Sequence, residues 1–383
     1  MKIVNRLADR FARVAPLPSG TFQLRSAPDA AIPFRLHLRL RPDGSAILVV
    51  NASTVLQLNP TAAEFAYHYV RGVSEDEAAR EVAGRYRISR QTAREEYRDF
   101  VERIESLVTG PDLDPVAYLD FDRIAPHSAA LAAPLRLDCA LTYRVRPGAE
   151  SEGAAQSRVR RELGTGEWKL ILDKAWQAGV PHVVFTGGEP SLRDDLLELV
   201  AHAEANGQVC GLLTNGIRLA DRAYLQALLQ TGLDHVLMVL QPALADSWKA
   251  VDALIPEDIF VTVHLTLRPG GLDESGRLLT RLMQHGVRNV SLTASEPSLA
   301  RELAELRNRA SEMGLSLRWD LPVPYSEFNP VSSETVADLI RTGAGKVWLY
   351  VEPDGDVLPA QGAVDDPLGN LLTDAWESIG LLS

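Results

Sequence analysis

The feature that most limits what this chain can fold into is a repeat. From Leu135 onward, short apolar runs alternate with helix-patterned segments about six times. The apolar runs cover residues 135–141, 182–186, 209–214, 235–240, 260–267 and 287–294, and helical periodicity fills stretches such as 168–178, 192–206, 224–229, 277–285 and 299–313. Strands this short and apolar, separated by helices, predict a parallel sheet covered on both faces, with right-handed crossovers. Six such units predict an open α/β partial (β/α)6 barrel, because a closed eightfold ring usually takes about 250 residues.

The chain before the repeat reads differently. Residues 34–40 and 46–50 alternate like strands around the turn Arg41-Pro42-Asp43-Gly44, and a third strand follows at 54–58. Three helical segments come next: one over 61–70, one opened by the capping box Ser74-Glu75-Asp76-Glu77, and one after Ser89. The last carries Tyr97, Phe100, Val101, Ile104 and Val108 on a single stripe. Residues 31–108 are therefore predicted to form a small α+β domain of winged-helix-like type. Residues 1–30 read as an arm whose basic start, from Lys2 to Val14, suits a docking helix. Residues 109–133, punctuated by Pro111, Pro115 and Pro126, read as a linker. The barrel is assigned to 134–320 and a short C-terminal α+β extension, with a strand-turn-strand near its middle, to 321–383.

Composition narrows the partners. A net charge of -12 argues against a nucleic-acid partner, whose affinity comes from Lys and Arg displacing counterions. No run approaches the ~18 apolar residues of a membrane span. The two cysteines, Cys139 and Cys210, cannot build a disulfide framework, so a cytoplasmic location is the expectation.

In parallel α/β folds, ligands bind where the loops at the carboxyl ends of the strands converge. Here those loops include Thr186-Gly187-Gly188-Glu189-Pro190 and Thr214-Asn215-Gly216. Adjacent glycines let backbone approach a ligand closely, and Glu189 offers a carboxylate to a cation. Taken alone, the same run also reads as a tight strand-to-helix turn with Pro190 at the helix start. Asp138, Tyr143, Glu152 and Glu189 are the candidate acid–base groups near the mouth.

From Leu135 onward the chain resembles the radical S-adenosylmethionine superfamily. The resemblance rests on Val184-Phe185-Thr186-Gly187-Gly188-Glu189-Pro190, on Leu212-Leu213-Thr214-Asn215-Gly216, and on Gly232-Leu233-Asp234-His235-Val236. It implies that Gly187, Gly188, Glu189, Pro190 and Asn215 line a cofactor site, with the Gly-Gly-Glu-Pro run at the ligand's amino group. The run from Tyr350 to Pro359, with Gly369-Asn370-Leu371, resembles the SPASM/twitch extension of peptide-modifying members. Residues 56–107 resemble the PqqD-like peptide-recognition family, which implies that a precursor peptide adds as a strand against 54–58 and the last helix. Val55, Leu56, Leu58, Tyr97 and Val101 are the peptide-binding candidates, although Tyr97 and its neighbours also read as plain core.

The family's three cluster cysteines would fall, after Leu141-Thr142-Tyr143-Arg144, at Val145, Ala149 and Glu152. Counting from Cys139 instead puts the other two at Tyr143 and Arg146. The auxiliary position after Pro359 is Ala360, and Ser326 stands where another cysteine would suit. Cys139 and Cys210 read as small buried side chains. The sequence alone thus leads to a pseudoenzyme: a cluster-less, radical-SAM-like protein that binds a peptide and scaffolds a partner, such as an intact radical SAM enzyme, in peptide maturation. On that reading no metal is bound, an iron–sulfur cluster is not expected, and S-adenosylmethionine is optional. The alternative is an enzyme that keeps an S-adenosylmethionine or other small-molecule pocket at the mouth, working without a cluster or with one bound unusually.

Overall fold

The computed structural model describes residues 17–27, 30–32, 34–51, 54–109, 122–123, 133–145, 159, 161–317, 344–362 and 367–380. The basic segment 2–14, Ala149, Glu152 and Ser326 lie outside the described residues. The chain divides into two units, Met1–Ala130 with Gln177–Pro181, and Leu131–Trp176 with His182–Ser383.

In the first unit, strands β1 (Gly20–Arg25), β2 (Arg35–Leu40), β3 (Ala46–Val50) and β4 (Thr54–Leu58) form an antiparallel meander. Helices α1 (Pro60–Val70), α2 (Glu75–Tyr86) and α3 (Arg90–Thr109) follow. Period-two alternation puts Leu36, Leu38, Leu48, Val50, Leu56 and Leu58 into one core with Phe65, Val82 and Ile104. Asn59 caps α1 by accepting from the Ala62 amide at 2.9 Å, and Ser74 opens α2 by accepting from Glu77.

Two strands of this sheet go beyond the three-strand reading. β1 pairs with β2 from Gly20↔Leu40 to Arg25↔Arg35, and its Phe22 and Leu24 pack on the core. β5 (Asp122–Arg123) pairs antiparallel with Leu56 and Gln57 of β4. The edge of β4 that a peptide strand would use is therefore partly taken by the chain itself.

In the second unit a run of parallel strands is described: β6 (Arg136–Thr142), β7 (His182–Gly187), β8 (Val209–Thr214), β9 (His235–Val239), β10 (Phe260–Leu267), β11 (Asn289–Ala294) and the short β12 (Ser316–Leu317). Helices α4 (Thr165–Gln177), α5 (Leu196–Asn206), α6 (Arg222–Leu229), α7 (Ala245–Leu254), α8 (Leu272–Gln284) and α9 (Ala300–Glu312) separate them. The sequence places a helix from Leu192, but a 3-10 turn (Pro190–Leu192) comes first and α5 begins at Leu196. Between them the Arg193 backbone is extended. The tail continues the same sheet: β13 (Trp348–Val351) lies parallel beside β6, with β14 (Asp356–Leu358) and β15 (Gly369–Asn370) antiparallel beyond it.

Candidate functional site

The carboxyl ends of β6, β7 and β8 are tied together by backbone and carboxylate hydrogen bonds. Past a register shift between Ala140 and Thr142, the chain leaving β6 runs alongside the chain leaving β7. The Gly188 amide donates to the Thr142 carbonyl at 2.7 Å, and the Glu189 amide to that of Arg144 at 2.7 Å. A Cβ at Gly187 or Gly188 would overlap those same two carbonyl oxygens. Both glycines are thus required by the approach of one loop to the other. Gly187 also sits at φ +120°, which disfavours any side chain.

Glu189 is 2% exposed and holds this corner to β8. Its Oε1 accepts from the Ser191 amide (2.9 Å) and the Thr214 hydroxyl (2.7 Å), and Oε2 accepts from the Asn215 amide (2.6 Å). Burial pushes its carboxyl above the ordinary carboxylate range, opposed by the hydrogen bonds from Ser191, Asn215 and Thr214. Pro190 starts the 3-10 turn, and Asn215 closes its own turn by accepting from Ile217 at 3.0 Å. The structure therefore gathers Gly187, Gly188, Glu189, Pro190 and Asn215 into one corner.

Two arginines outside the sequence reading brace that corner. Arg193 donates to Asp195 through two nitrogens, at 2.8 and 2.7 Å, and through Nη1 to the Leu141 and Leu163 carbonyls at 3.1 and 3.0 Å. Although burial works the other way, hydrogen bonds from Arg193 and Thr165 hold Asp195 below the usual carboxylate range. Arg218 donates to the Ser191 carbonyl and lies 4.1 Å over the Tyr224 ring. A bidentate Arg-x-Asp pair right after a Gly-Gly-Glu-Pro turn is a signal that sequence can carry.

Of the other acid–base candidates, Glu152 lies outside the described residues, and the side chains of Tyr143 and Asp138 have partners other than Glu189. Tyr143 donates to Glu352 at 2.8 Å inside a small cluster with Ala140, Tyr350 and Leu358. Asp138 sits mid-strand in β6 with Arg136 (2.8 Å). Burial pushes its carboxyl up, and Arg136 opposes the rise. Further along the sheet, His264 hydrogen-bonds to Ser291, Thr266 and Thr293 at 3.0, 3.1 and 3.2 Å. Burial lowers its pKa to about 3, so it is neutral.

In the first unit, Leu56, Leu58 and Tyr97 lie in the core cluster, with Val101 packed against it and half-buried. Val55, also buried, alternates onto the opposite face of β4. Burial pushes the Tyr97 phenol up to about 12.

The fold defines a partial-barrel protein, with this corner at the carboxyl ends of its strands. The model of the radical SAM superfamily matches residues 142–246. The PqqA peptide cyclase of Ruegeria pomeroyi is 31% identical over 267 residues, covering 61% of this chain and 70% of that one. That of Streptomyces rochei is 28% identical over 288 residues, covering 64% and 76%. The structure of Streptococcus suis SuiB bound to its precursor peptide SuiA superposes with a TM-score of 0.58 at 14% identity, covering 90% of this chain and 87% of that one. SuiB bound to S-adenosylmethionine gives the same TM-score of 0.58. The chain belongs to the radical SAM superfamily, among its peptide-modifying enzymes.

That membership corrects two expectations. Members use S-adenosylmethionine and an iron–sulfur cluster, so an expectation of no cofactor and no cluster does not stand for this family. The pseudoenzyme reading is likewise unsupported, since the relatives are peptide cyclases.

The described residues fit the two groups differently. Cys139 and Cys210 are both fully buried, and burial pushes the Cys139 thiol up. Among the described residues no group of three or more His, Cys, Asp or Glu could hold a metal ion. Those residues do not supply the thiolate set a cluster needs. For S-adenosylmethionine the chemistry suits better. Three residues before Glu189, the Thr186 hydroxyl is buried without a hydrogen-bond partner among the described residues.

Proposed function

We propose that this chain is a peptide-modifying enzyme that binds S-adenosylmethionine at the corner formed by Gly187, Gly188, Glu189, Pro190 and Asn215. The observation that carries the reading is the placement of that corner. A buried carboxyl group, with the unpartnered Thr186 hydroxyl three residues before it, sits at the carboxyl ends of β6–β8 in a chain of this superfamily. The Glu189 carboxyl suits the ligand's ammonium group, and Arg193 and Arg218 brace the turn.

The first unit serves as a PqqD-like recognition domain that docks an extended segment of a precursor peptide at β4 and α3. Of the candidates there, half-buried Val101 is the one placed to touch it, while Leu56, Leu58 and Tyr97 hold the core behind. Support comes from SuiB, which is seen with its precursor peptide. The β13–β15 tail serves as a SPASM/twitch-like extension.

Calorimetric titration of S-adenosylmethionine into the anaerobic chain tests the reading. A saturable heat is expected. A flat trace at millimolar ligand would remove the cofactor site.

A further inference from the structure

We propose that the Thr186 hydroxyl is a ligand-binding group at the barrel mouth, accepting a hydrogen bond from an N–H or O–H donor of bound S-adenosylmethionine. This rests on the cofactor site proposed above. Thr186 is 0% exposed, and its Oγ1 has no hydrogen-bond partner among the described residues. A buried hydroxyl without a partner lowers the stability of the folded chain, so one that persists needs an explanation.

Direction is set by the strand. Thr186 alternates with Val184, whose side chain clusters with Leu213, Leu237 and Val239 across β8 and β9. The Thr186 side chain therefore lies on that same face of the sheet. Its register partner on β6 is Ala140, which offers no polar atom. On β8 Phe185 pairs with Leu212, which puts Leu213 level with Thr186, and that side chain is apolar as well. One residue further, the chain turns at Gly187 toward the Glu189 carboxyl, which suits a cationic donor such as an ammonium group.

The test is a pair of variants, Thr186→Val, which keeps shape and removes the hydroxyl, and Thr186→Ser, which keeps the hydroxyl. Each is titrated with S-adenosylmethionine and melted without ligand. Thr186→Val is expected to bind roughly tenfold more weakly, the worth of one hydrogen bond, while its ligand-free melting temperature holds or rises. Thr186→Ser is expected to bind within about threefold of the unaltered chain. A hydroxyl serving only the fold, directly or through a bound water, gives the opposite pattern: a lower melting temperature with affinity retained. Unchanged affinity in Thr186→Val overturns the proposal. No heat from the unaltered chain overturns the cofactor site itself, which a Thr186-specific loss would leave standing.

Discussion

At Gly187 and Gly188 the space a side chain would need holds the Thr142 and Arg144 carbonyl oxygens. Neither carbonyl can withdraw without giving up its hydrogen bond from Gly188 or Glu189. Gly188→Ala is expected to cost about 2–4 kcal/mol in denaturant unfolding, and Gly187→Ala at least as much because of its positive φ. A loss under ~0.5 kcal/mol at either position would mean the two loops are free to part. His264 gives a pH signature. Its pKa falls from 6.5 to about 3 on folding, so the neutral ring's contribution is complete above pH 6.5 and declines as pH drops toward 3. At pH 5 that loss is about 2 kcal/mol, and His264→Gln is expected to flatten the acid limb of the stability profile correspondingly. An unchanged acid limb in the variant would show that the ring takes up a proton without penalty.

Elements with strong periodicity were legible, and those set by distant partners were not. The six main barrel strands and the capping box at Ser74 follow from apolar runs and a local side-chain rule. The delayed start of α5 does not, and there Arg193 reaches back to the Leu141 and Leu163 carbonyls. The Phe22 and Leu24 alternation of β1 is present but lies among Pro16, Pro18 and Pro28, in the stretch read as an arm. At the site, the sequence pointed to Gly187, Gly188 and Glu189 but not to what they touch. The loop that fills the glycine faces comes from the end of a different strand. β5, two residues long, carries no periodic signal at all. Of two consecutive residues in an antiparallel ladder, one points its amide at the partner strand, so the double change Asp122→Pro with Arg123→Pro removes a ladder donor wherever it lies. Hydrogen exchange is expected to speed up at amides within 54–58 in that variant. If protection there stays as it was, β5 does not cover the β4 edge.

On the scale of the whole molecule, no helix among the described residues is long and apolar enough to cross a membrane. The parallel sheet is assembled from distant parts of the chain, since β13 joins β6 in register from Trp348↔Arg136 to Val351↔Cys139. The tail is thus the neighbour of the barrel's first strand. A chain ending at residue 343 is expected to pellet on mild centrifugation, while the full chain stays in the supernatant; a soluble truncated barrel would show β13 to be dispensable. During synthesis, β7 can cover one flank of β6 early, but the other flank stays bare until residues 348–351 emerge. A premature stop or a proteolytic nick upstream of Trp348 would therefore leave a strand of mostly buried side chains open to pairing with other chains.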